Sequence, residues 1–195
     1  EGKYDVIFTP LAFANLLSYF SNFCSAFAVD AGYSFLVNKI GKKVANECIT
    51  IYDSGIERDG IYSTKFDDEG VATRKTCIVK DGILKTYLHN STTAKKHNTK
   101  TTANAGIISP SPWNVVLKDG EYSVEEMIEE VKNGLLITNL WYTRFHNYIK
   151  GDFSTVARDS AFYIRNGEIE SAVKGIRISD NLERLFKNIN AISKH

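Results

Sequence analysis

The chain has 195 residues, of which 43% are hydrophobic, 12% aromatic and 24% charged, and its formal net charge is +1. This apolar content suffices for one sizeable core and excludes a disordered segment. The small net charge argues against broad attraction to nucleic acid or to a membrane surface. We therefore expect one folded domain over residues 1–195.

The first apolar stretch predicts a helix from Pro10 to Ala28, with Thr9 as its N-cap. The 24 residues from Val6 to Val29 contain no charge, which is long enough for a membrane span or a signal peptide. A helix exposed to lipid would not need polar residues on one side. We therefore expect a buried helix whose polar stripe lines a cavity or contacts another subunit. That stripe comprises Asn15, Ser18, Ser21, Asn22 and Ser25.

Strands separated by glycine turns are predicted after this helix. Runs rich in β-branched residues predict strands at Glu47 to Tyr52, Asn114 to Leu117, and Thr76 to Leu88, the last folding back at Asp81-Gly82. Asn166-Gly167 lies between two segments in which apolar and polar residues alternate. This pattern predicts a hairpin, because a type I′ turn needs positive φ at both positions and Asn-Gly tolerates it. The pattern therefore predicts a β-rich fold.

Two shorter helices follow from capping signals. Ser123 with Glu126 forms a capping box, and Asp180 or Ser179 is predicted to cap a helix from Leu182 to Ile192. Together the elements predict an α+β fold with mixed or antiparallel sheets, a long buried N-terminal helix and two or three shorter helices.

Potential metal ligands are scattered along the chain. The odd number of cysteines and the lack of any Cys-x-x-Cys pair argue against a zinc ribbon or a disulfide framework and suit a reducing cytoplasm. A lone buried cysteine is usually an apolar filler. The acidic run at residues 67–69 predicts a loop, with cation binding as the alternative. None of the candidates has ligand spacing: Cys24, Cys48, Cys77, His89, His97, His146 and His195.

A lysine-containing segment carries a second weak signal. Lys95, Lys96, His97 and Lys100 could contact phosphate, but a solvated loop is the better interpretation because the chain is nearly neutral.

Short motifs in a fixed order carry a family resemblance. They occur at residues 34–36, 63–70, 80–84, 94–96, 102–106, 134–136, 151–154, 166–169 and 173–175. Each motif alone is a common turn or strand signal, but their shared order and spacing resemble the TldD/TldE (PmbA) family. Its members pair as the catalytic and non-catalytic halves of a metallopeptidase. The resemblance implies that the chain is the C-terminal portion of a longer, two-domain protein.

The resemblance implies where a zinc site would lie. In the catalytic half, a His-Glu-x-x-x-His motif lies on the helix before the Ser-Phe-Leu segment, whereas this chain has Ser18, Tyr19 and Phe23 there. We therefore expect a TldE-like member with no catalytic residue and no metal ligand of its own. Zinc is expected in a TldD-like partner, and the substrates are expected to be unstructured peptides. A second copy of the chain is the alternative partner, and neither nucleic acid nor a membrane is expected.

Polar residues in the aromatic stretch form the remaining candidate cluster: Arg144, Asn147, Asp152 and Ser154. An exposed strand with these side chains could contact an extended peptide. The alternative is structural, with an Arg144–Asp152 or Arg158–Asp159 pair that holds the loop.

Other function classes remain open. A hydrolase could use Ser154, Cys24 or Cys77 as nucleophile with His146 as base. The chain could also belong to a metallopeptidase that is active through ligands outside these residues. A regulatory or nucleic-acid-binding module is the third alternative, and the balanced charge argues against it.

Overall fold

Two β-sheets and five helices form the fold within residues 2–194, which are the residues that the computed structural model describes. Glu1 and the candidate ligand His195 lie outside the described residues. The helices are α1 (Pro10–Phe23), α2 (Ala26–Asp30), α3 (Ser91–Lys96), α4 (Val124–Glu130) and α5 (Leu182–Asn188). The strands are β1 (Asp5–Phe8), β2 (Ile51–Ser54), β3 (Lys75–Lys80), β4 (Ile83–Leu84), β5 (Asn114–Leu117), β6 (Asn133–Asn147), β7 (Asp152–Arg165), β8 (Glu168–Val173) and β9 (Arg177–Asn181). The predicted α+β class is confirmed.

The larger sheet is built on the long antiparallel pair of β6 and β7. Its strand order is β1-β6-β7-β8, and β9 pairs with the first part of β7. Strand β1 runs parallel to β6, whereas the other pairs are antiparallel. The predicted hairpin between β7 and β8 is confirmed, since Asn166 and Gly167 have φ of 49° and 84°. The glycine motif at 151–154 contributes only Gly151 to a turn, because Asp152 already belongs to β7.

The smaller sheet is antiparallel, with strand order β4-β3-β2-β5. Its predicted turn at Asp81-Gly82 is confirmed by positive φ at both residues. The strand predicted from Glu47 begins only at Ile51. It starts late because a turn precedes it, closed by a hydrogen bond from the Ile49 amide to the Asn46 carbonyl.

The predicted N-terminal helix is shorter and less buried than expected. It ends at Phe23 because Leu88 competes for the next backbone groups: its amide donates to the Cys24 carbonyl at 2.8 Å, and its carbonyl accepts from the Ala26 amide at 2.9 Å. Three side chains of the polar stripe, those of Asn15, Ser21 and Ser25, form hydrogen bonds within the chain. Ser18 and Asn22 are exposed to solvent. Within residues 2–194, no helix has the length and apolar content needed to cross a membrane.

The shorter helices agree only partly with the prediction. The capping box of Ser123 and Glu126 starts α4 as expected. Helix α5 ends at Asn188 rather than Ile192, and its cap is Asn181 rather than Asp180 or Ser179. Of the predicted lysine loop, Lys95 and Lys96 instead end α3, which Asn90 caps, whereas His97 and Lys100 lie beyond the helix as expected. With α2 split from α1, the described residues hold four short helices instead of two or three.

The main core lies where α1 and α5 pack against both sheets. Phe20 of α1 stacks on Phe186 of α5 at 4.4 Å between ring centroids, and both rings are fully buried. A separate small cluster of Ile7, Leu136 and Ile164 is covered by Met127 and Ile128 of α4. Next to the turn that joins them, β6 and β7 pack on α1 through one face of the sheet. This packing orients the candidate residues Arg144, Asn147, Asp152 and Ser154.

Candidate functional site

The position at which the resemblance places a zinc motif is occupied by an aromatic contact between α1 and β6. Ser18 is exposed, and the Tyr19 hydroxyl donates to the Thr143 carbonyl at 3.3 Å. Phe23 is buried, and its ring centroid lies 5.0 Å from those of both Phe35 and Phe145. Aromatic rings at this spacing stabilise the packing of the helix on the sheet.

These residues do not fit a zinc ion, which needs imidazole, thiolate or carboxylate donors that converge. Cys24 is the nearest thiol, but it is buried and donates to the Phe20 carbonyl at 3.4 Å. Burial, and secondly the charge of Asp53, raise the pKa of the Cys24 thiol, so it stays protonated at neutral pH. Within residues 2–194, no three His, Cys, Asp or Glu side chains are grouped to hold a metal ion.

The predicted peptide-contact residues lie at the turn end of β6 and β7. Arg144 faces Ser154 across the strand pair, and Asn147 faces Asp152. The structure therefore brings all four residues into one short segment of the sheet. Their hydrogen bonds, however, are mainly to neighbours in the fold.

Local contacts account for the polar groups at this turn. The Asn147 side-chain oxygen accepts from the Lys150 amide at 3.0 Å, and the Asp152 carboxylate accepts from the Asn181 side chain at 2.8 Å. Arg144 donates to the Tyr142 hydroxyl at 2.5 Å instead of pairing with Asp152. The predicted Arg144–Asp152 pair is therefore wrong, because each group has another partner.

The second predicted ion pair does form, but weakly. Arg158 Nε lies 3.9 Å from the Asp159 carboxylate, and both side chains are more than half exposed. An exposed pair at this distance contributes about 0–1 kcal/mol.

The candidate nucleophile Ser154 and the candidate base His146 lie next to each other in the structure. His146 Nε2 lies 3.1 Å from the Ser154 hydroxyl oxygen. Ser154 is buried and sits in β7 between β6 and β9, where its backbone takes part in strand pairing. Acyl transfer also needs free donors aimed at the developing oxyanion, and a strand paired on both sides offers few. The geometry therefore fits a structural hydrogen bond better than a nucleophile.

The two candidate thiol nucleophiles lack this arrangement. Cys24 and Cys77 both donate to backbone carbonyls, those of Phe20 and Val79. Neither thiol has a histidine among its hydrogen-bond partners in the part of the chain that the structure describes.

A buried carboxylate outside the predicted cluster holds one of the sequence motifs in place. Asp53 accepts from the Asn104 side chain at 2.6 Å and from the Trp113 amide at 2.7 Å. Burial raises the pKa of Asp53 to about 6, although these hydrogen bonds oppose the shift. Asn104 belongs to the motif at 102–106, whereas no signal in the sequence singled out Asp53.

The acidic run at 67–69 is a loop, as predicted. Asp67 is buried and accepts from three backbone amides, those of Glu69, Val71 and Ala105. A carboxylate used in this way orders the loop backbone. These three hydrogen bonds account for the buried Asp67 carboxylate without a bound cation.

A surface cleft of about 710 Å³ opens beside the turn of β6 and β7. It lies where the motif at 34–36 meets the motif at 151–154. Lys39 and Glu183 form a salt bridge of 2.7 Å at its wall. The cleft is lined by Ser34, Phe35, Lys39, Lys150, Asp152 and Asn181, among others.

A family profile described as the PmbA/TldA metallopeptidase C-terminal domain matches residues 1–195. The chain belongs to this family. The TldD/TldE (PmbA) relationship and the C-terminal position inferred from the motifs are both confirmed. Among curated proteins, metalloprotease PmbA of Escherichia coli O157:H7 is 34% identical over 192 residues, covering 96% of the chain and 41% of PmbA.

Solved structures agree with this relationship. A Thermotoga maritima protein provisionally assigned as a modulator of a DNA gyrase superposes with a TM-score of 0.91 at 36% identity, covering 99% of the chain and 45% of that protein. TldE from Thermococcus kodakarensis gives a TM-score of 0.82 at 31% identity, with coverage of 97% and 44%. The chain spans less than half the length of these relatives.

Proposed function

We propose that the chain is the C-terminal domain of a non-catalytic, TldE-like subunit of a zinc-dependent peptidase. The observation that carries this proposal is the packing of Phe23 and Tyr19 at the position of the expected zinc motif. An aromatic contact at that position stabilises the fold but cannot activate water. The zinc ion and the general base would then belong to a TldD-like partner subunit.

The role of this subunit would be to complete the channel that leads a substrate to the partner's zinc. Unstructured peptides are the substrates that such a channel would admit. The cleft beside Phe35 and Asp152 supports this role, because it combines an apolar wall with charged groups along its rim. Lys150 and Asp152 could then bind polar groups of an extended chain, while the strands beneath hold them in position.

We also place the protein in the cytoplasm. Its three cysteines are free, and two of them are at least partly exposed, which suits a reducing compartment.

The deciding experiment is elemental analysis of the full protein, purified alone without a chelator. We expect zinc near zero per chain and no peptidase activity. Adding a co-expressed paralogue that carries the His-Glu-x-x-x-His motif should yield a complex with one zinc per paralogue and with activity. Stoichiometric zinc in the protein alone, lost together with activity on chelation, would show that its ligands lie outside the described residues and would refute the non-catalytic assignment.

A serine hydrolase is the second candidate function, because His146 and Ser154 form the 3.1 Å contact. Ser154→Ala separates the two functions. We expect peptidase activity of the assembled complex to persist within about twofold, since the nucleophile would be zinc-bound water in the partner. A loss of a thousandfold or more, with the complex still assembled, would instead favour the serine mechanism.

A further inference from the structure

Exposed aromatic and arginine side chains form a continuous array on one face of the larger sheet. The guanidinium carbon of Arg158 lies 4.4 Å from the centroid of the Trp141 ring, and that of Arg144 lies 4.2 Å from the centroid of the Tyr142 ring. The two rings lie 5.4 Å apart. We call these four residues the aromatic–arginine array.

Strand register assigns the array to the face that points away from α1. Thr155 and Phe153 of β7 face α1, since Thr155 bonds Thr143, which in turn bonds Asn15 of α1, and Phe153 lies in the main core. The alternate residues Ser154 and Val156 therefore face the other way. Their cross-strand partners share that face, namely Arg144 and Trp141 in β6 and Arg177 in β9.

A β-bulge brings both aromatic rings onto this face. The register of β6 shifts between Trp141 and Arg144, and Tyr142 adopts a φ of 61°. A positive φ is unfavourable for a bulky residue, and such conformations concentrate at functional sites. The bulge places two aromatic side chains next to each other where regular alternation would separate them.

The array is accessible, and a further arginine is exposed beside it. Trp141 is 55% exposed and Tyr142 is 52% exposed. Arg177 of β9 is exposed on the same part of the sheet. Asp159 is the nearby carboxylate that pairs with the array, and it is also bonded to the Asn139 side chain. A chain with a formal net charge of only +1 thus concentrates arginine on one face.

We propose that the aromatic–arginine array docks a protein surface rich in carboxylates, on the catalytic subunit of the heterodimer. This inference rests on the proposed function and adds the contact face and its chemistry. Trp, Tyr and Arg are the residues that dominate binding energy in protein interfaces. Complementary charge selects the partner, because arginines attract carboxylates and repel other arginines.

Two other occupants fit the face less well. A second copy that used the same face through a two-fold axis would bring two arginine-bearing surfaces together, which like charges oppose. Nucleic acid would stack on free ring faces, whereas a guanidinium group already lies over one face of each ring here. Both occupants remain as outcomes of the test.

The test compares variants of the full protein for binding to the co-expressed, zinc-bearing paralogue by surface plasmon resonance. Trp141→Ala, Arg144→Glu and Arg158→Glu should each raise Kd by tenfold to a hundredfold. Arg58→Glu is the matched control, since Arg58 is 94% exposed in a loop outside the array, and should change Kd by less than twofold. Circular dichroism and urea unfolding verify that each variant folds.

Salt dependence provides a second readout. The Kd of the unmodified protein should rise between 50 and 300 mM NaCl, and the charge-reversed variants should show a weaker dependence on salt. Equal salt slopes for the unmodified protein and Arg144→Glu would count against the charge assignment.

The outcomes separate the inference from the proposed function. If the unmodified protein does not bind the paralogue, the proposed function fails. If it binds but the array variants behave like Arg58→Glu, the docking face is wrong while the proposed function stands. Loss of a homodimer in sedimentation experiments, or loss of binding to a labelled single-stranded DNA, upon Trp141→Ala would overturn the assignment to an acidic protein partner.

Discussion

Asp53 combines burial with hydrogen bonds from Asn104 and Trp113, and its ionisation should make the stability of the fold depend on pH. Its pKa is about 6 in the folded protein and near 3.8 when exposed. Between these values the folded state holds a proton that the unfolded state has released. The contribution of this group to stability is therefore largest below about pH 4 and falls as the pH rises through 6.

We expect Asp53→Asn to flatten this dependence. Relative to the variant, the unmodified protein should lose about 2–3 kcal/mol of unfolding free energy between pH 4 and pH 6.5. Urea unfolding at several pH values measures this difference. Asp159→Asn is the matched control for the loss of one carboxylate, because Asp159 is exposed. Parallel profiles for the unmodified protein and Asp53→Asn would contradict the prediction.

Gly82 occupies a position that only glycine fits without strain. Its φ is 74°, and a Cβ atom there would lie 2.7 Å from the Asn46 carbonyl oxygen. Gly82→Ala should therefore lower the unfolding free energy by about 2–4 kcal/mol, combining backbone strain with overpacking. Gly70 has a similar φ of 76° but open space around it, so Gly70→Ala should lose only about 1 kcal/mol. Equal losses in thermal unfolding would show that crowding at Gly82 is unimportant.

At the scale of elements, Asn181 connects α5 to the turn between β6 and β7. Its side-chain oxygen accepts from the Arg184 amide at 3.0 Å, and its nitrogen donates to Asp152 and to the Lys150 carbonyl. Asn181→Ala should cost about 1–2 kcal/mol, because it removes a helix cap and two hydrogen bonds whose acceptors water can reach. Asp180→Ala removes a partly exposed i,i+4 ion pair and should cost less than about 1 kcal/mol. Urea midpoints that rank the two variants in the opposite order would restore Asp180 as the cap.

The sequence predicts the elements that neighbouring residues determine, but not those that contacts between distant residues determine. The hairpin at Asn166-Gly167 and the capping box of Ser123 depend on neighbouring residues, and both were predicted. The end of α1 at Phe23 depends on Leu88, which is distant in sequence, so the pattern of apolar residues continued past the true end. The missed α3 has few apolar residues, and the capping box of Asn90 with Thr93 was its main signal.

In the candidate site, too, residues that are close in sequence could be predicted and contacts between distant residues could not. Arg144, Asn147, Asp152 and Ser154 were found because they lie close together in the chain around one turn. The Asp53 contact joins β2 to a motif about fifty residues later, which no local pattern could reveal. The array of Trp141 and Arg158 was also missed, because the bulge at Tyr142 changes which side chains share a face.

At the scale of the whole molecule, the reaction rates of the three free thiols measure how readily solvent reaches the core. Cys24 is fully buried in the main core, whereas Cys48 is exposed and Cys77 is partly exposed. Because the main core joins both sheets, access to Cys24 should require opening of the whole domain. Its burial also raises the pKa of the thiol, which lowers the fraction of reactive thiolate.

We therefore expect three separate rates when the native protein reacts with a thiol reagent such as DTNB. Cys48 should react first and Cys77 more slowly, while Cys24 should react only as fast as the protein unfolds. Mild urea should accelerate the Cys24 phase because it speeds unfolding, and Cys24→Ala should remove that phase alone. If Cys24 reacted as quickly as Cys48, solvent would reach it in the folded state. A role as ligand or nucleophile would then have to be reconsidered, whereas slow labelling leaves Cys24 as a core residue and α1 as a structural helix.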